Sequence, residues 1–229
     1  MTDTRTPPDL SLKTERTTVR RKAFRGHYDI ETIGAILDEA FICHIGFVAK
    51  GQPYVIPTAF GRKDRTLYFH GLSVNHMLDN LKQGIPMCFT ATLVDGIVFA
   101  RSGFNHSINS RAVVVLGTAV EVEGAEKEEA LEVIMEHIAP GRWAATRPPT
   151  ALELKATSVL KLAITEASAK IREGGPIDDD EDFALPHWAG VLPIQTVYGK
   201  PETEARVAPG TPVPANISAY RRPRMIRKA

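Results

Sequence analysis

The sequence predicts a mainly β protein, built as a small β-barrel with helices at its periphery. Roughly six or seven short apolar segments of strand-like composition follow one another, with turn signals about every 8–12 residues. The helical patterns are few, and they do not alternate with the strands as a parallel α/β sheet would require. A barrel of short strands is therefore the expected fold class.

The first elements can be placed from turn residues and apolar periodicity. Residues 1–27 are polar, basic and non-periodic, so we expect an extended N-terminal arm there. Asp29 is the expected N-cap of a helix, because an apolar stripe with helical spacing follows it. Strand-like segments then occupy residues 42–49, 53–60, 66–70, 86–94 and 97–102.

The later elements are a strand at 112–123, a helix at 125–139 and a strand at 158–165. Gly117 lies within the longest strand pattern, where a bulge or bend is expected. Thr150 and Glu153 have the spacing of a capping box, which predicts a short helix after them. We expect one domain over residues 28–198 and a flexible, basic tail over 199–229.

Composition narrows the class of protein. The chain has 229 residues, 43% of them hydrophobic, and a net charge of +1, which does not favour a nucleic-acid-binding protein. No apolar run approaches the ~20 residues of a membrane span, and the polar start does not resemble a secretory signal. We therefore expect a cytoplasmic protein with neither nucleic-acid nor membrane partners.

Cysteine and histidine spacing gives no indication of a metal site. Cys43 and Cys88 each lie in an apolar strand pattern, which favours buried free thiols over a disulfide or redox pair. The seven histidines are scattered without the short spacings typical of zinc ligands. No nucleophile elbow of the G-x-S-x-G type is present.

The segment after residue 70 has features of a phosphate site. A β-rich strand ends in His70-Gly71, and Ser73 is predicted to open a short amphipathic helix. The first turn of such a helix offers free backbone N–H groups, and Ser73, Asn75 and His76 could add side-chain contacts. Alternatively, Ser73 is a plain N-cap and His76 a surface residue. The Gly-rich fingerprints of nucleotide-binding loops are missing from this region.

Several segments resemble a known family when taken in order. They are residues 53–62, 66–71, 73–81, 99–117 and 188–194. Together they resemble the pyridoxamine 5′-phosphate oxidase-like FMN-binding split-barrel family, in the branch of flavin-nucleotide-binding proteins. The tetrapeptide Leu67-Tyr68-Phe69-His70 is also similar to the nitroimidazole-resistance branch. The resemblance spans about residues 20–198 and implies a homodimeric split barrel with FMN at the subunit interface.

The resemblance also implies positions for the flavin. It places Tyr54, Val55, Ile56, Pro57 and Thr58 beside the isoalloxazine, where an extended backbone can bind the pyrimidine edge. An ordinary core strand with proline near an edge is the alternative for this segment. The phosphate would lie at Ser73, Asn75 and His76, where the family commonly has Arg or Lys.

Four further side chains have two open interpretations each. Arg111 could reach phosphate or a flavin carbonyl, or form an interface ion pair. Trp188 could cover the partner's flavin or serve only in packing. His70 could face the flavin as a substrate contact or general acid, or be a structural histidine. His106 follows the same logic.

The implied function is an FMN-dependent oxidoreductase acting on a small molecule, with a nicotinamide as a candidate electron donor. One alternative is a non-catalytic flavin-binding or storage protein. Another is a haem-binding split barrel with His70 or His106 as axial ligand. Oxidation of pyridoxamine phosphate itself is not favoured, because the basic stretch Arg221-Arg222-Pro223-Arg224 does not match the Arg-x-His element that holds the phosphorylated vitamer.

Overall fold

The computed structural model describes residues 12–222, which form two antiparallel sheets with helices packed around them. The strands are β1 (Gly26–His27), β2 (Ile42–Ala49), β3 (Gln52–Ala59), β4 (Gly61–Lys63), β5 (Thr66–Leu72), β6 (Pro86–Phe99), β7 (Ser107–Thr118), β8 (Val120–Val122), β9 (Thr157–Ala163), β10 (Ala167–Arg172) and β11 (Gly190–Pro193). The helices are α1 (Ile30–Glu39), α2 (His76–Leu81), α3 (Gly124–Ile138), α4 (Ala151–Ala156) and α5 (Ala215–Ser218). The prediction of a mainly β protein with a few helices is confirmed.

The larger sheet has seven strands in the order β1-β10-β7-β6-β2-β3, with β11 paired to β6. The smaller sheet has four strands in the order β4-β5-β9-β8. Strand β3 is the last strand of the larger sheet and pairs only with β2 among the described strands. Pro53 and Pro57 lie in β3, which agrees with the confinement of proline to edge strands.

The long hairpin of β6 and β7 differs from the predicted strands. The sequence predicts separate strands at 86–94 and 97–102, but the structure joins them into β6, with a register shift between Val94 and Gly96. A Cβ at Gly96 would lie 3.0 Å from the carbonyl oxygen of Leu192 in β11. Glycine therefore lets β11 approach β6 closely at the irregular position.

The predicted helix caps are confirmed. The Asp29 carboxylate accepts a 2.7 Å hydrogen bond from the Thr32 N–H at the start of α1. Thr150 and Glu153 form a reciprocal capping box at α4. No helix within residues 12–222 is long and apolar enough to cross a membrane.

Strand β5 is buried on both of its faces. Leu67 and Phe69 point into the main core, which lies between the two sheets and also takes in α1. Tyr68 points the other way, into a second apolar layer with Ile134 and Ala130 of α3. Because side chains alternate along a strand, His70 shares the α3 side with Tyr68.

The N-terminal segment is more ordered than the predicted arm. Leu12 is buried, and its carbonyl accepts a hydrogen bond from the Ala167 N–H. Arg16 pairs with Glu166, and β1 adds an antiparallel edge to β10. Residues 12–27 are thus part of the domain, while residues 1–11 lie outside the described residues.

The C-terminal segment also docks on the domain, which corrects the predicted flexible tail for its last described residues. Arg222 is buried and donates to the carbonyls of Asp38 and Ala40 at 2.5 and 2.8 Å. Its guanidinium lies 4.5 Å from the Phe41 ring centroid. Carbonyls at the C-terminal end of a helix lack intrahelical partners, so an arginine stabilises the end of α1 there. Residues 223–229 lie outside the described residues.

His137 of α3 packs under this arginine. Its Nε2 lies 2.9 Å from the Ala40 carbonyl oxygen and its ring 4.7 Å from the Phe60 centroid. Burial lowers the pKa of His137 to about 4, with a smaller contribution from the charge of Arg222 and against the opposing effect of the Ala40 hydrogen bond. The folded protein therefore holds this histidine neutral.

We predict an acid-dependent loss of stability from His137. As pH falls from about 6.5 toward 4, the unfolded chain takes up a proton at this position before the folded protein does, so the free energy of unfolding decreases by up to about 3 kcal/mol. The stability is complete above pH 6.5. Chemical denaturation of His137→Gln across this range should show a shallower dependence on pH, since the amide keeps a donor for Ala40. The exposed His44→Gln serves as control, and an unchanged slope in His137→Gln would contradict the assignment.

Candidate functional site

An apolar cavity of about 450 Å³ lies between the smaller sheet and α3. One wall comes from α3, and the others come from the following connection, from α4 and from the start of β9. His70 is the only histidine among the residues that line it. The others are Leu131, Ile134, Met135, Ile138, Trp143, Pro149, Glu153, Leu154 and Thr157.

The imidazole of His70 is unusual within this wall. Its Nδ1 atom is buried and has no hydrogen-bond partner within residues 12–222. Burial lowers the pKa of His70, so the ring is neutral at physiological pH. In native structures a buried ring nitrogen normally has a hydrogen-bond partner. His70 therefore lines the cavity as a neutral imidazole, and its buried Nδ1 makes no hydrogen bond within residues 12–222.

The placement of His70 does not favour the role predicted for it beside a flavin. Its ring lies on the α3 face of β5, whereas Tyr54 packs against the main core on the other side. The strand alternation that buries Phe69 in the core turns His70 away from it. The geometry is compatible with a structural histidine, and also with the alternative function in which His70 is an axial ligand of haem.

The edge strand β3 and the start of α2 lie next to each other. The rings of Tyr54 and His76 lie 5.1 Å apart, and Tyr54 stacks on Phe47 at 5.4 Å. Val55 is 66% exposed, and Ile56 and Thr58 are partly buried. The edge of β3 that faces away from β2 has backbone groups without a strand partner in the described chain. An exposed aromatic surface therefore adjoins an open strand edge.

The start of α2 corrects one prediction. Ser73 does not cap the helix: Asn75 does, with its side-chain oxygen accepting from the N–H groups of Met77 and Leu78 at 3.0 and 3.2 Å. Strand β5 pairs with β9 as far as Leu72, and the Ser73 N–H then donates to the Ala156 carbonyl just before β9. The His76 side chain at this turn is exposed.

Arg111 has a different environment from a phosphate ligand. Its guanidinium donates to both oxygens of Glu39 in α1 and to both oxygens of Asp95 in β6, at distances of 2.5 to 2.9 Å. It is 5% exposed, and the two carboxylates raise its pKa. Four of its N–H···O contacts are thus made within the chain, so the structure supports an ion pair instead of a contact to flavin.

Trp188 and His106 lie together at the end of the β6–β7 hairpin. The Phe99 ring is 5.9 Å from Trp188 and 5.8 Å from His106. Trp188 is 71% exposed, and His106 is an exposed residue whose Nδ1 contacts the Ser102 carbonyl at 2.9 Å. Trp188 is therefore free to meet a second molecule, whereas His106 does not line the cavity that contains His70.

Sequence reasoning missed the cavity but not all of its residues. The apolar stripe Leu131, Ile134, Met135 and Ile138 was the signal for helix α3, and the same side chains form the cavity wall. Trp143 and Leu154 were not singled out. Their contribution depends on how α4 and the preceding connection fold back over α3, which no local pattern records.

Comparison with known proteins identifies the family. The family model described as pyridoxamine 5′-phosphate oxidase matches residues 29–171, which is more than half of the 229-residue chain. The chain belongs to the pyridoxamine 5′-phosphate oxidase family. The resemblance found in the sequence is thereby confirmed. No curated protein matches the chain.

Two solved structures of this family are similar over nearly the whole chain. The flavocytochrome Anf3 from Azotobacter vinelandii is 41% identical, covers 91% of this chain and 97% of its own, and superposes with a TM-score of 0.86. The FAD and haem binding protein from Mycobacterium smegmatis is 36% identical, covers 85% and 96%, and has a TM-score of 0.83. A 5-nitroimidazole resistance protein from Bacteroides thetaiotaomicron, 24% identical over 64% of this chain and 86% of its own, shares the fold with a TM-score of 0.55.

We predict that the Arg111 ion pair is structural. Arg111→Gln leaves two partly buried carboxylates facing each other, so the free energy of unfolding should fall by about 3–5 kcal/mol. Combining Arg111→Met with Glu39→Gln and Asp95→Asn should recover most of that loss in a denaturant melt. Arg206→Gln, which removes an exposed pair with Glu204, should change stability by less than about 1 kcal/mol. A stable Arg111→Gln protein that has lost its cofactor would return Arg111 to the binding site.

Proposed function

We propose that this protein is an electron-transfer protein that binds both a haem and a flavin nucleotide and reduces a small molecule. The observation that carries the proposal is the neutral His70 side chain in the wall of an apolar cavity of about 450 Å³, with no hydrogen-bond partner for its Nδ1 in the described residues. Similarity to a flavocytochrome and to a protein that binds FAD and haem supports the same assignment. The alternative of a haem-binding split barrel and the favoured flavoprotein are thereby combined in one molecule.

The residues of the cavity fit a haem. A proximal histidine is a common protein ligand of haem iron, and a neutral imidazole has the lone pair that a metal requires. The volume lies within the usual range for cofactor pockets, and the wall is mostly aliphatic and aromatic. When bound, haem supplies one-electron chemistry, and the apolar wall sets how much water reaches it.

Charged residues lie at one end of this apolar wall. Glu153 lines the cavity, and Arg147 donates to its two carboxylate oxygens at 2.8 and 2.5 Å. Arg147 is exposed, so its guanidinium can exchange Glu153 for another carboxylate at little free-energy cost. Haem carries two carboxylates at one edge, and we propose that Arg147 binds one of them.

The flavin belongs along β3, at the edge of the larger sheet. The open backbone edge at Tyr54, Val55, Ile56, Pro57 and Thr58 can exchange hydrogen bonds with the flavin pyrimidine ring. Tyr54 and His76 offer aromatic surface next to it. Residues 54–58 would hold the flavin ring, and the flavin would supply hydride and single-electron chemistry there, with a nicotinamide as the proposed donor.

The family resemblance implies FMN as the bound flavin nucleotide, whereas two observations favour FAD. The resemblance places the FMN phosphate at Ser73, Asn75 and His76. Asn75 now serves as the helix cap, and the similar structure from Mycobacterium smegmatis binds FAD. We therefore propose FAD as the physiological nucleotide, with Ser73 and His76 as the remaining polar groups of the α2 turn.

We also propose a homodimer. Large apolar side chains are exposed along the β6–β7 hairpin and β11, where they need cover from a second chain. These are Val94, Ile97, Phe104, Ile108, Trp188 and Leu192. Light scattering at micromolar concentration should give twice the 25.1 kDa of one chain. Phe104→Ser combined with Trp188→Ser should shift the mass toward one chain, because the surface loses its apolar centre. A wild-type protein of 25 kDa would contradict the dimer.

The direct test of the haem assignment is substitution of His70. Wild-type protein purified with haem, or reconstituted with hemin, should show a Soret band together with flavin absorbance. His70→Ala should lose most of the Soret band and weaken haem affinity at least tenfold, while the flavin absorbance persists, because β3 is unaffected. His106→Ala is the matched control, since this exposed histidine lies outside the cavity.

Three outcomes would contradict the proposal. Retention of a wild-type Soret band in His70→Ala would remove His70 as ligand. Loss of the band in His106→Ala would transfer that role to the hairpin. Loss of flavin together with haem in His70→Ala would show that the cavity beside α3 and the edge of β3 are not separate sites.

A further inference from the structure

A cluster of positive charges lies at the β1 edge of the larger sheet, away from the cavity of His70. It combines the turn before β1 with the end of β10, and its members are Arg21, Lys22, Arg25, Lys170 and Arg172. Strand pairing fixes the arrangement, since Gly26 of β1 lies opposite Lys170 of β10. Lys170 and Arg172 are two residues apart on β10 and so project from the same face of the sheet.

Arg172 is the buried member of this cluster. It is 6% exposed and donates only to neutral oxygens: the Asn109 side chain, and the Gly174 and Gly175 carbonyls, the last two at 3.1 Å. Its Nε atom is buried without a hydrogen-bond partner in the described chain. Burial and the charge of Arg25 lower the pKa of Arg172. A buried guanidinium is normally paired with an anion, and here residues 12–222 provide no carboxylate for it.

Lys22, the exposed lysine of the turn before β1, is also surrounded by positive charges. The charge of Arg25 lowers the pKa of Lys22 most, followed by partial desolvation and then by Arg21, Arg172 and Lys170. Lys22 also adopts a left-handed backbone conformation, with φ 54° and ψ 56°, which is unfavourable for a residue with a side chain. The fold therefore holds like charges together and fixes the Lys22 backbone in an uncommon conformation, an arrangement that an anion would stabilise.

An aromatic ring stands within the same turn. Phe24 is 77% exposed, and the Arg25 guanidinium lies 5.5 Å from its centroid. Exposed aromatic rings next to cations are the common means by which proteins stack a nucleobase and bind its phosphates. The combination suits a nucleotide better than a simple anion such as sulfate.

We propose that this cluster binds the diphosphate group of a nucleotide, with Lys22, Arg25, Lys170 and Arg172 around the phosphates and Phe24 stacked on the base. Guanidinium and ammonium groups give charge-assisted hydrogen bonds to phosphate oxygens. FAD and NAD(P)H both contain a diphosphate and an adenine, so both could supply this chemistry. Because β1 and β3 are the two end strands of the larger sheet, an FAD bound here would have its flavin ring on β3 of the second chain in the proposed homodimer. The choice between these two nucleotides rests on the proposed function, whereas the diphosphate site itself does not.

The test uses the full-length protein with ADP and inorganic pyrophosphate as probes. Lys22→Gln combined with Lys170→Gln removes two exposed cations and keeps Arg172 in place, so folding should be unaffected. Calorimetry should show that the wild type binds both probes and that the double variant binds them at least tenfold more weakly. Lys50→Gln combined with Lys200→Gln is the matched control. Lys50 is also exposed and has a left-handed backbone with φ 51°, and this control should retain affinity within about twofold.

Dinucleotide titrations of the same proteins separate the two sources. If FAD binds the Lys22→Gln/Lys170→Gln protein at least tenfold more weakly while FMN binds unchanged, the cluster holds the adenine end of the flavin. If NADH or NADPH loses affinity while FAD does not, the cluster holds the electron donor. Phe24→Ala should weaken ADP more than pyrophosphate, because only ADP has a base to stack.

The proposal is overturned if the wild type binds neither ADP nor pyrophosphate, or if the double variant and the control bind them equally. These probes can be titrated whether or not haem is bound, and the Soret band reports His70 separately. A negative result at the cluster therefore leaves the haem assignment intact, and a missing Soret band leaves the cluster intact. Arg172→Gln adds a second variant, and its melting temperature shows whether a loss of binding reflects unfolding.

Discussion

The burial of β5 on both faces is the constraint on which the architecture of the candidate site depends. Its odd-numbered side chains, Leu67 and Phe69, fill the core between the two sheets. Its even-numbered side chains, Tyr68 and His70, face α3. Strand β5 therefore separates a ligand bound beside α3 from a ligand bound along β3. Two cofactors can then be close in distance without sharing ligands.

This separation also depends on how α3 is held. A Cβ on Gly61 of β4 would lie 2.7 Å from the Ile134 Cα, so glycine allows the helix backbone to touch the strand. At the other end, Tyr220 donates to the Ile138 carbonyl, and Arg222 packs beside His137. The C-terminal segment thus fastens the end of the helix that forms the cavity wall. Helix position, and with it the cavity volume, is set by backbone contact and by chain docking as well as by apolar burial.

Two buried arginines of this protein, Arg111 and Arg172, have different kinds of hydrogen-bond partner. Arg111 has two carboxylates from its own chain, which makes it a structural tie between α1 and the β6–β7 hairpin. Arg172 has only neutral oxygens and cationic neighbours, which makes it a candidate ligand for an external anion. Sequence cannot distinguish these arginines, because each follows a similar strand pattern. The difference lies in which residues distant in sequence reach them: Glu39 lies 72 positions from Arg111.

Local patterns were sufficient for much of the fold. The caps at Asp29 and Thr150 and the apolar stripe of α3 were predicted from short-range chemistry, which tertiary packing does not alter. Strand β10 was missed, since Ala167, Ser168 and Ala169 have no strand-like character until β7 and β1 pair with them. The start of α2 was placed at Ser73 instead of Asn75 because β5 continues to Leu72 under the influence of β9. The candidate site shows the same contrast between local and tertiary effects. The β3 segment can be predicted from the sequence, whereas the cavity of His70 forms only when separate elements of the chain pack together.

The most direct test of the account is a titration of the cofactor-free protein with hemin and flavin in both orders. If the cavity beside α3 and the edge of β3 are separate sites, each chain should bind one hemin and one flavin, and neither should change the other's stoichiometry or displace it. The His70→Ala protein should retain the flavin stoichiometry alone. Displacement of flavin by hemin, or of hemin by flavin, would mean that both compete for one site and would contradict the separation on which the proposed function rests.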